Sequence, residues 1–174
     1  MKHFIFFLMI SAMTPGFAAA ASCYGPAEMD AEMAVRLHSE LMVSTLLCRT
    51  SSTGVALPTA YKEFTDRHIE MLRDAEQRLM SWYRKAGAKS AEGKMDRLRT
   101  LLGNAYSQEI ADKSPTGFCN QYRDHTGTAG NWSADDVRHE LKRLAKAYKP
   151  HEPLCKKMEV AEAEGDIVQG ELTR

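Results

Sequence analysis

The sequence predicts an all-α fold: a disulfide-stapled, up-down bundle of four main helices with one short extra helix. Three observations lead to this prediction. Helix-forming residues dominate, while glycine occurs only 11 times and proline 6 times in 174 residues. Apolar residues recur at steps of three and four positions through long segments, the spacing of one helix face. Four cysteines follow an N-terminal stretch that is typical of exported proteins, which makes them disulfide candidates.

The N-terminal stretch, residues 1–21, has the layout of a secretory signal peptide. A positive start precedes the apolar run 4–13, and small residues then allow cleavage after Ala20 or Ala21. The run is far shorter than the roughly 20 residues that span a bilayer, and no second run of that length follows. We therefore expect a secreted, specifically periplasmic protein that is not an integral membrane protein. As an alternative, a degenerate lipoprotein box would place a lipid anchor on Cys23.

The charge balance argues against nucleic acid and anionic membranes as partners. Lysine and arginine number 23, aspartate and glutamate also 23, so the formal net charge is +0. Such a chain has no overall field to gather nucleic acid or an anionic membrane. We expect residues 22–155 to form the helical domain. Residues 156–174 are polar, have little to bury and are predicted to be a flexible tail.

The first helix is predicted from Pro26 to about Arg49, because proline suits the first helical turn. Apolar side chains recur along it at helical spacing. Glu32, Arg36 and Glu40 are spaced four residues apart and form a charge ladder on another face.

The second helix is predicted as one segment from about Pro58 to Gly87, which is a natural C-terminal cap. Its apolar stripe is the clearest in the chain. A third helix is predicted over residues 90–112. Ser114 and Pro115 then provide an N-cap and a first-turn proline for the short extra helix.

The glycine- and threonine-rich stretch 126–131 is predicted to be a loop before the last helix. Residues Ser133–Asp136 form a weak capping box, in which aspartate replaces the usual glutamate. Trp132 and Val137 occupy the two positions of a hydrophobic staple. The last helix is predicted to end by Pro150.

The cysteine pairing follows from helix length. Cys23 and Cys48 flank a helix of about 25 residues, which holds them roughly 35 Å apart at ~1.5 Å per residue. A disulfide requires Cα atoms within about 7 Å, so this pairing is excluded. The up-down order brings Cys119 to the same end of the bundle as Cys48 and returns Cys155 to the end near Cys23. The predicted bonds are therefore Cys48–Cys119 and Cys23–Cys155.

Two histidines and two methionines form the one candidate metal or haem site. His38 and His68 are expected at similar depth on antiparallel helices, with Met42 and Met71 on the same faces. Imidazole and thioether groups suit copper or the axial positions of a haem. The simpler interpretation is that the histidines make hydrogen bonds and the methionines fill gaps in the core. We therefore expect no cofactor, with haem or copper as the alternative.

Motifs of enzymes are largely missing from the sequence. His139–Glu140 begins like a zinc-binding His-Glu-x-x-His motif, but Arg143 stands where the second histidine is required. The pair Asp124–His125 lies near Cys119, yet a cysteine in a disulfide is not a nucleophile. What remains open is an enzyme whose carboxylates are assembled across helices. Such a site cannot be located from sequence.

The last helix carries a strip of cations that could dock an acidic partner or an anionic surface. The strip consists of Arg138, Lys142, Arg143, Lys146 and Lys149. Its simpler interpretation is a solvated face. Taken together, the sequence predicts a secreted or periplasmic helical binding or envelope-associated protein without catalytic activity. Its partner, a protein or a small molecule, is not identified by sequence.

Overall fold

The computed structural model describes residues 23–155, which form five helices. These are α1 (Pro26–Cys48), α2 (Leu57–Arg67), α3 (Ile69–Lys85), α4 (Ala91–Ala129) and α5 (Ala134–Ala147). Within that range there is no strand, and extended pairing is limited to two isolated bridges. The prediction of an all-α bundle is confirmed. The predicted signal peptide and the predicted C-terminal tail lie outside the described residues.

α1 is the central helix and packs against each of the other four. α2 and α3 run back along it, since Thr45 near the end of α1 contacts Leu57 at the start of α2. At the other end, the Trp82 indole near the end of α3 donates to the carbonyl of Cys23. The first part of α4 runs beside α1 in the same direction. α5 then runs in the opposite direction, so the segment after it lies next to the start of α1. The up-down order is therefore the one predicted.

The prediction of a single second helix is wrong, because the helix is interrupted at His68. The backbone of His68 has φ −111° and ψ 17°, outside helical geometry. The interruption is slight. His68 N–H still donates to the carbonyl of Phe64, and Leu72 N–H donates to the carbonyl of His68, both at 3.0 Å.

α4 contains a kink where the short extra helix was predicted to begin. Ser114 has φ 66° and ψ 157°, and its Oγ accepts a hydrogen bond from the backbone of Gly117 at 3.3 Å. Serine capping followed by Pro115 therefore starts a new helical segment as predicted. That segment then runs on to Ala129 without a loop.

The prediction of a loop over residues 126–131 is thus largely wrong, and two glycines explain the error. They serve close packing of the helix against its neighbours. A Cβ atom on Gly127 would lie 2.9 Å from the Cβ of Ser51, and one on Gly130 would lie 3.1 Å from the backbone Cα and carbonyl oxygen of Ala60. Glycine is required here because the helix and its neighbours approach too closely for a side chain.

The start of α5 agrees with prediction. Ser133 Oγ accepts from the backbone of Asp136, and the Asp136 carboxylate accepts from the backbone of Ser133. Trp132 and Val137 pack in one apolar cluster, as a hydrophobic staple requires. The helix ends at Ala147, three residues before Pro150.

The core consists of three apolar clusters around α1. One cluster contains Tyr24, just before α1, and side chains of α1, α3 and α4, including Leu79, Trp82, Met95 and Leu102. A second cluster joins α1, α2 and α5, with Met33, Leu37, Leu41, Phe64 and Leu144. The cluster at the end of α1 contains Tyr106, Phe118 and Tyr122.

Both predicted disulfides are confirmed, and they close the bundle at opposite ends. Cys23 bonds to Cys155 with Cα atoms 5.0 Å apart, and Cys48 bonds to Cys119 with Cα atoms 5.4 Å apart. Two such bonds indicate an oxidising compartment. Because the sulfur of Cys23 is bonded to Cys155, a lipid anchor on Cys23 is incompatible with this structure. Among the described helices, none is long and apolar enough to cross a membrane.

Candidate functional site

The charge ladder of α1 lies inside the bundle. Glu32 and Glu40 are 0% exposed and Arg36 is 5% exposed. The sequence placed these residues on a face of α1 other than the apolar one, and the structure shows that this face is buried as well. Because α1 is packed by helices on all sides, it has no extended face left for solvent. Each of the three charges must therefore find a partner within the protein.

Glu40 is the centre of a group that we call the buried charge cluster, formed by Glu40, His125, Glu140 and Arg143. Glu40 comes from α1, His125 from α4, and the other two from α5. An oxygen of Glu40 lies 3.4 Å from a terminal nitrogen of Arg143, whose Nε donates to Glu140 at 2.5 Å. The side chain of Glu140 is 14% exposed and that of Arg143 is 40% exposed, so the cluster reaches the surface along α5.

Two tyrosines and Arg36 complete the inner side of the cluster. The Tyr106 hydroxyl donates to a carboxylate oxygen of Glu40 at 3.3 Å and approaches the carbonyl of Arg36 at 3.5 Å. The guanidinium of Arg36 stacks on the ring of Tyr148, with its Cζ 4.4 Å from the ring centroid. Burial raises the pKa of Tyr106, and the nearby carboxylate of Glu40 raises it further. Tyr106 therefore stays a neutral hydrogen-bond donor.

His125 lies between the two carboxylates of the cluster. Its Nδ1 is 3.4 Å from an oxygen of Glu40, and its Nε2 is 3.0 Å from an oxygen of Glu140. Neither nitrogen has a well-aligned hydrogen bond, so the contacts are close charge contacts. The edge of the ring packs on Trp132 at a centroid distance of 4.7 Å.

The electrostatics of the cluster favour charged side chains. Burial disfavours the protonated ring of His125, but Glu40 and Glu140 outweigh it, and the pKa of His125 is raised. Burial likewise opposes ionisation of Glu140, yet Arg143 and His125 prevail and its pKa is lowered. The pKa of Arg143 is raised by the same two carboxylates against the effect of its own burial.

A second buried carboxylate fixes the segment that follows α5. The side chain of Glu32 accepts hydrogen bonds from the backbone N–H of His151 at 3.0 Å and contacts its Nδ1 at 2.8 Å. Just beyond, Cys155 N–H donates to the carbonyl of Tyr24, next to the Cys23–Cys155 bond. Glu32 therefore serves to hold the end of the domain against the start of α1.

The structure gives the two candidate metal-binding histidines separate partners. His38 Nε2 lies 2.7 Å from the hydroxyl of Tyr61, and His68 Nε2 lies 3.1 Å from the carbonyl of Trp132. Burial lowers the pKa of His38, and Arg99 also lowers it, against the effect of Glu76. The ring of His38 is thus suited to accept the Tyr61 hydroxyl proton in a hydrogen bond.

The two candidate methionines also differ in position. Met42 is 40% exposed, whereas Met71 is partly buried against the core. In residues 23–155 no three side chains among His, Cys, Asp and Glu form a group that could hold a metal ion. Haem or copper binding through His38, His68, Met42 and Met71 stays a prediction.

The basic strip of α5 divides into two parts. Arg138, Lys142, Lys146 and Lys149 are exposed, whereas Arg143 turns inward to Glu40 and Glu140. The prediction that Arg143 belongs to the same strip is wrong, because it lies on a different side of α5 from Arg138, Lys142 and Lys146. Arg138 pairs with Asp135, but the three lysines make no ion pair with any described residue.

The pair Asp124–His125 takes no part in a cysteine-based site. Cys119 is in a disulfide, and Asp124 accepts hydrogen bonds from the backbone and hydroxyl of Ser52 at 2.6 and 2.7 Å. These bonds lower the pKa of Asp124 and connect α4 to the loop after α1.

An open cleft of about 570 Å³ lies between α3 and the start of α1. Its lining is mostly polar and comprises Cys23, Glu28, Asp74, Gln77, Arg78, Ser81, Trp82 and Lys85. None of these residues belongs to the buried charge cluster. The cleft therefore gives no route for a substrate to the carboxylates of the cluster.

Comparisons with protein-family models, with curated proteins and with solved structures find no match.

The buried charge cluster was not predicted from the sequence, although one signal for it was available. α1 carries apolar residues on nearly every side, which is the pattern of a helix buried all round. Charges on such a helix must be buried and paired.

Proposed function

We propose that this chain is an exported binding protein without catalytic activity, which docks an acidic protein segment through one face of α5. This basic face consists of Arg138, Lys142 and Lys146 on α5 and of Lys149 just beyond its end. The observation that carries the proposal is that its three lysines are exposed and make no ion pair with any residue from 23 to 155.

The spacing of the basic face suits an extended or helical acidic partner. Arg138, Lys142 and Lys146 follow one another at steps of four positions, so they share one side of α5 and cover about 12 Å at the rise of an α-helix. Lys149 lies beyond the end of the helix, after Tyr148 in extended backbone. A partner with carboxylates at similar spacing can meet the three helical cations at once.

An acidic protein fits this face better than an anionic membrane does. Each cation near a lipid surface contributes about 1 kcal/mol, so four give a dissociation constant of only about 1 mM. The large apolar side chains that are exposed in the described chain, Met42, Leu46, Val55 and Leu101, belong to other elements. The basic face thus has no apolar anchor for a bilayer. The zero net charge of the chain also gives no overall attraction to an extended anionic surface.

Two features support a role without catalysis. The acidic and basic groups of the buried charge cluster contact one another, and Glu40 is fully buried. The alternative of an enzyme with carboxylates assembled across helices now has named candidates, Glu40 and Glu140 on either side of His125. Both carboxylates are engaged by Arg143, however, and the open cleft is lined by other residues.

The test compares two charge-reversed variants of the full protein. Lys142→Glu/Lys146→Glu reverses two charges of the basic face, and Lys89→Glu/Arg97→Glu reverses two exposed charges elsewhere, so both variants have the same net charge. A fluorescent peptide of consecutive glutamates is the probe. We expect the first variant to bind at least about tenfold more weakly, a loss of about 1.4 kcal/mol, while the second binds like the wild type.

The same measurement is repeated with phosphatidylglycerol vesicles and with rising salt. Binding of the peptide should weaken as salt screens the charges. Equal loss in both variants would show a net-charge effect and overturn the proposal. Tighter binding to vesicles than to the peptide would overturn it in favour of a lipid surface.

A further inference from the structure

We propose that His125 makes the packing of α5 on α1 and α4 dependent on pH, with the protonated ring holding the three helices together more tightly. The proposal concerns the buried charge cluster and is independent of what the basic face binds. It follows from the position of both ring nitrogens and from the groups that surround them.

Both nitrogens of the His125 ring lie close to carboxylates, which only accept hydrogen bonds. Nδ1 faces Glu40 and Nε2 faces Glu140, at 3.4 and 3.0 Å. A neutral imidazole carries one N–H, so in either tautomer an unprotonated nitrogen lies next to a carboxylate. Only the imidazolium offers a proton to both carboxylates. Its positive charge also attracts both of them.

The remaining charged groups around the ring leave this preference in place. On α1, Arg36 lies one turn before Glu40 and stacks on Tyr148. On α5, Arg143 is shared by both carboxylates. On α4 itself, Arg123 has a buried Nε without a partner among the described residues.

Groups from the other neighbouring elements touch the cluster only indirectly. His68, between α2 and α3, contacts the carbonyl of Trp132, whose indole lies against His125. His139 on α5 is 81% exposed, and its Nδ1 is 3.8 Å from the outer oxygen of Glu140. The two carboxylates are therefore the direct electrostatic neighbours of His125, and together they raise its pKa.

The sign of the pH dependence follows from this direction. Because folding raises the pKa of His125, the stability that its protonated ring contributes is complete below about pH 6.5, its pKa in the unfolded chain. This stability is lost as the pH rises through the pKa of His125 in the folded protein. The lowered pKa of Glu140 gives stability that is present above its unfolded value of about 4.3 and is lost as pH falls through its folded value. The contact is therefore strongest in mild acid, between about pH 4.5 and 6.5.

The test is thermal unfolding of the disulfide-bonded protein at about pH 5.5 and about pH 8, for wild type, His125→Gln and His139→Gln. We expect the melting temperature of wild type to exceed that of His125→Gln by a margin that is larger at the lower pH. A shift of one pKa unit would widen the margin by about 3 to 6 °C. His139→Gln removes an exposed histidine of α5, and this control should follow wild type at both pH values.

A titration of the wild-type protein by NMR keeps the test valid if His125→Gln folds poorly. The ring signal of His125 should titrate above about pH 6.5, and Glu140→Gln should move its midpoint down. A midpoint at or below 6.5 in the wild type would overturn the proposal. So would a margin between wild type and His125→Gln that is equal at the two pH values.

Discussion

Glu40 is a charged residue at the centre of the bundle, with a side chain that is only 1% exposed. Its desolvation is compensated by contacts from two other helices: Arg143 from α5, and His125 and Tyr106 from α4. A buried charge of this kind contributes little net stability when all its partners are present. Removing the charge of Glu40 destabilises the fold, because its buried partners are then left without the charge that compensates them.

At this scale we predict that Glu40→Gln destabilises the fold by about 2 kcal/mol. A fully buried ion pair that loses one partner costs about 3 to 5 kcal/mol, and the half-exposed Arg143 reduces that figure through solvent screening. Urea unfolding at neutral pH measures the change. The matched control is Glu70→Gln on α3, whose exposed pair with Arg73 should be worth under about 0.5 kcal/mol. Equal effects of the two substitutions would contradict the prediction.

At the scale of the element, α5 has three different sides. Val137 and Leu144 face the core, and the basic face lies opposite the core. Glu140 and Arg143 belong to the buried charge cluster and contact Glu40 and His125. The helix is only 14 residues long, which is marginal for an isolated helix in water. Its stability therefore depends on its start and on its packing.

We predict that Ser133→Ala, which removes the N-cap of α5, lowers the free energy of unfolding by about 1 kcal/mol. Ser107→Ala in α4 is the control, because Ser107 Oγ only donates to the carbonyl of Gly103 in an exposed part of the helix. Alanine has the higher helix propensity, so this control should be neutral or slightly stabilising. Urea unfolding reports the global change, and amide exchange shows whether the loss is located in α5. An unchanged stability of Ser133→Ala would mean that packing alone positions the helix.

Particular elements show what could be derived from sequence. The α5 cap was predictable because its signal lies within four consecutive residues. Gly127 was misinterpreted because its role, close approach to Ser51, depends on a segment more than 70 residues away. The buried charge cluster was missed for a similar reason. Glu40 and Arg143 are 103 residues apart, and their contact depends on the rotation of α1 and α5 about their axes.

At the scale of the whole molecule, the two disulfides close the bundle at its ends. Their cysteines are 132 and 71 residues apart in the chain. In the chain-entropy model such closures stabilise the fold by about 5 and about 4 kcal/mol. The pairing of the cysteines was predictable because it depends only on which end of the bundle each cysteine occupies. Helix length and up-down order are enough to determine that, without knowledge of side-chain contacts.

The oxidising compartment and the closed bundle both depend on one claim, that both disulfides form in the protein. Mass spectrometry of the purified protein, digested without reduction, tests it most directly. We expect peptides linking Cys23 to Cys155 and Cys48 to Cys119, with no free thiol. A link between Cys23 and Cys48, free thiols, or a lipid on Cys23 would contradict the account.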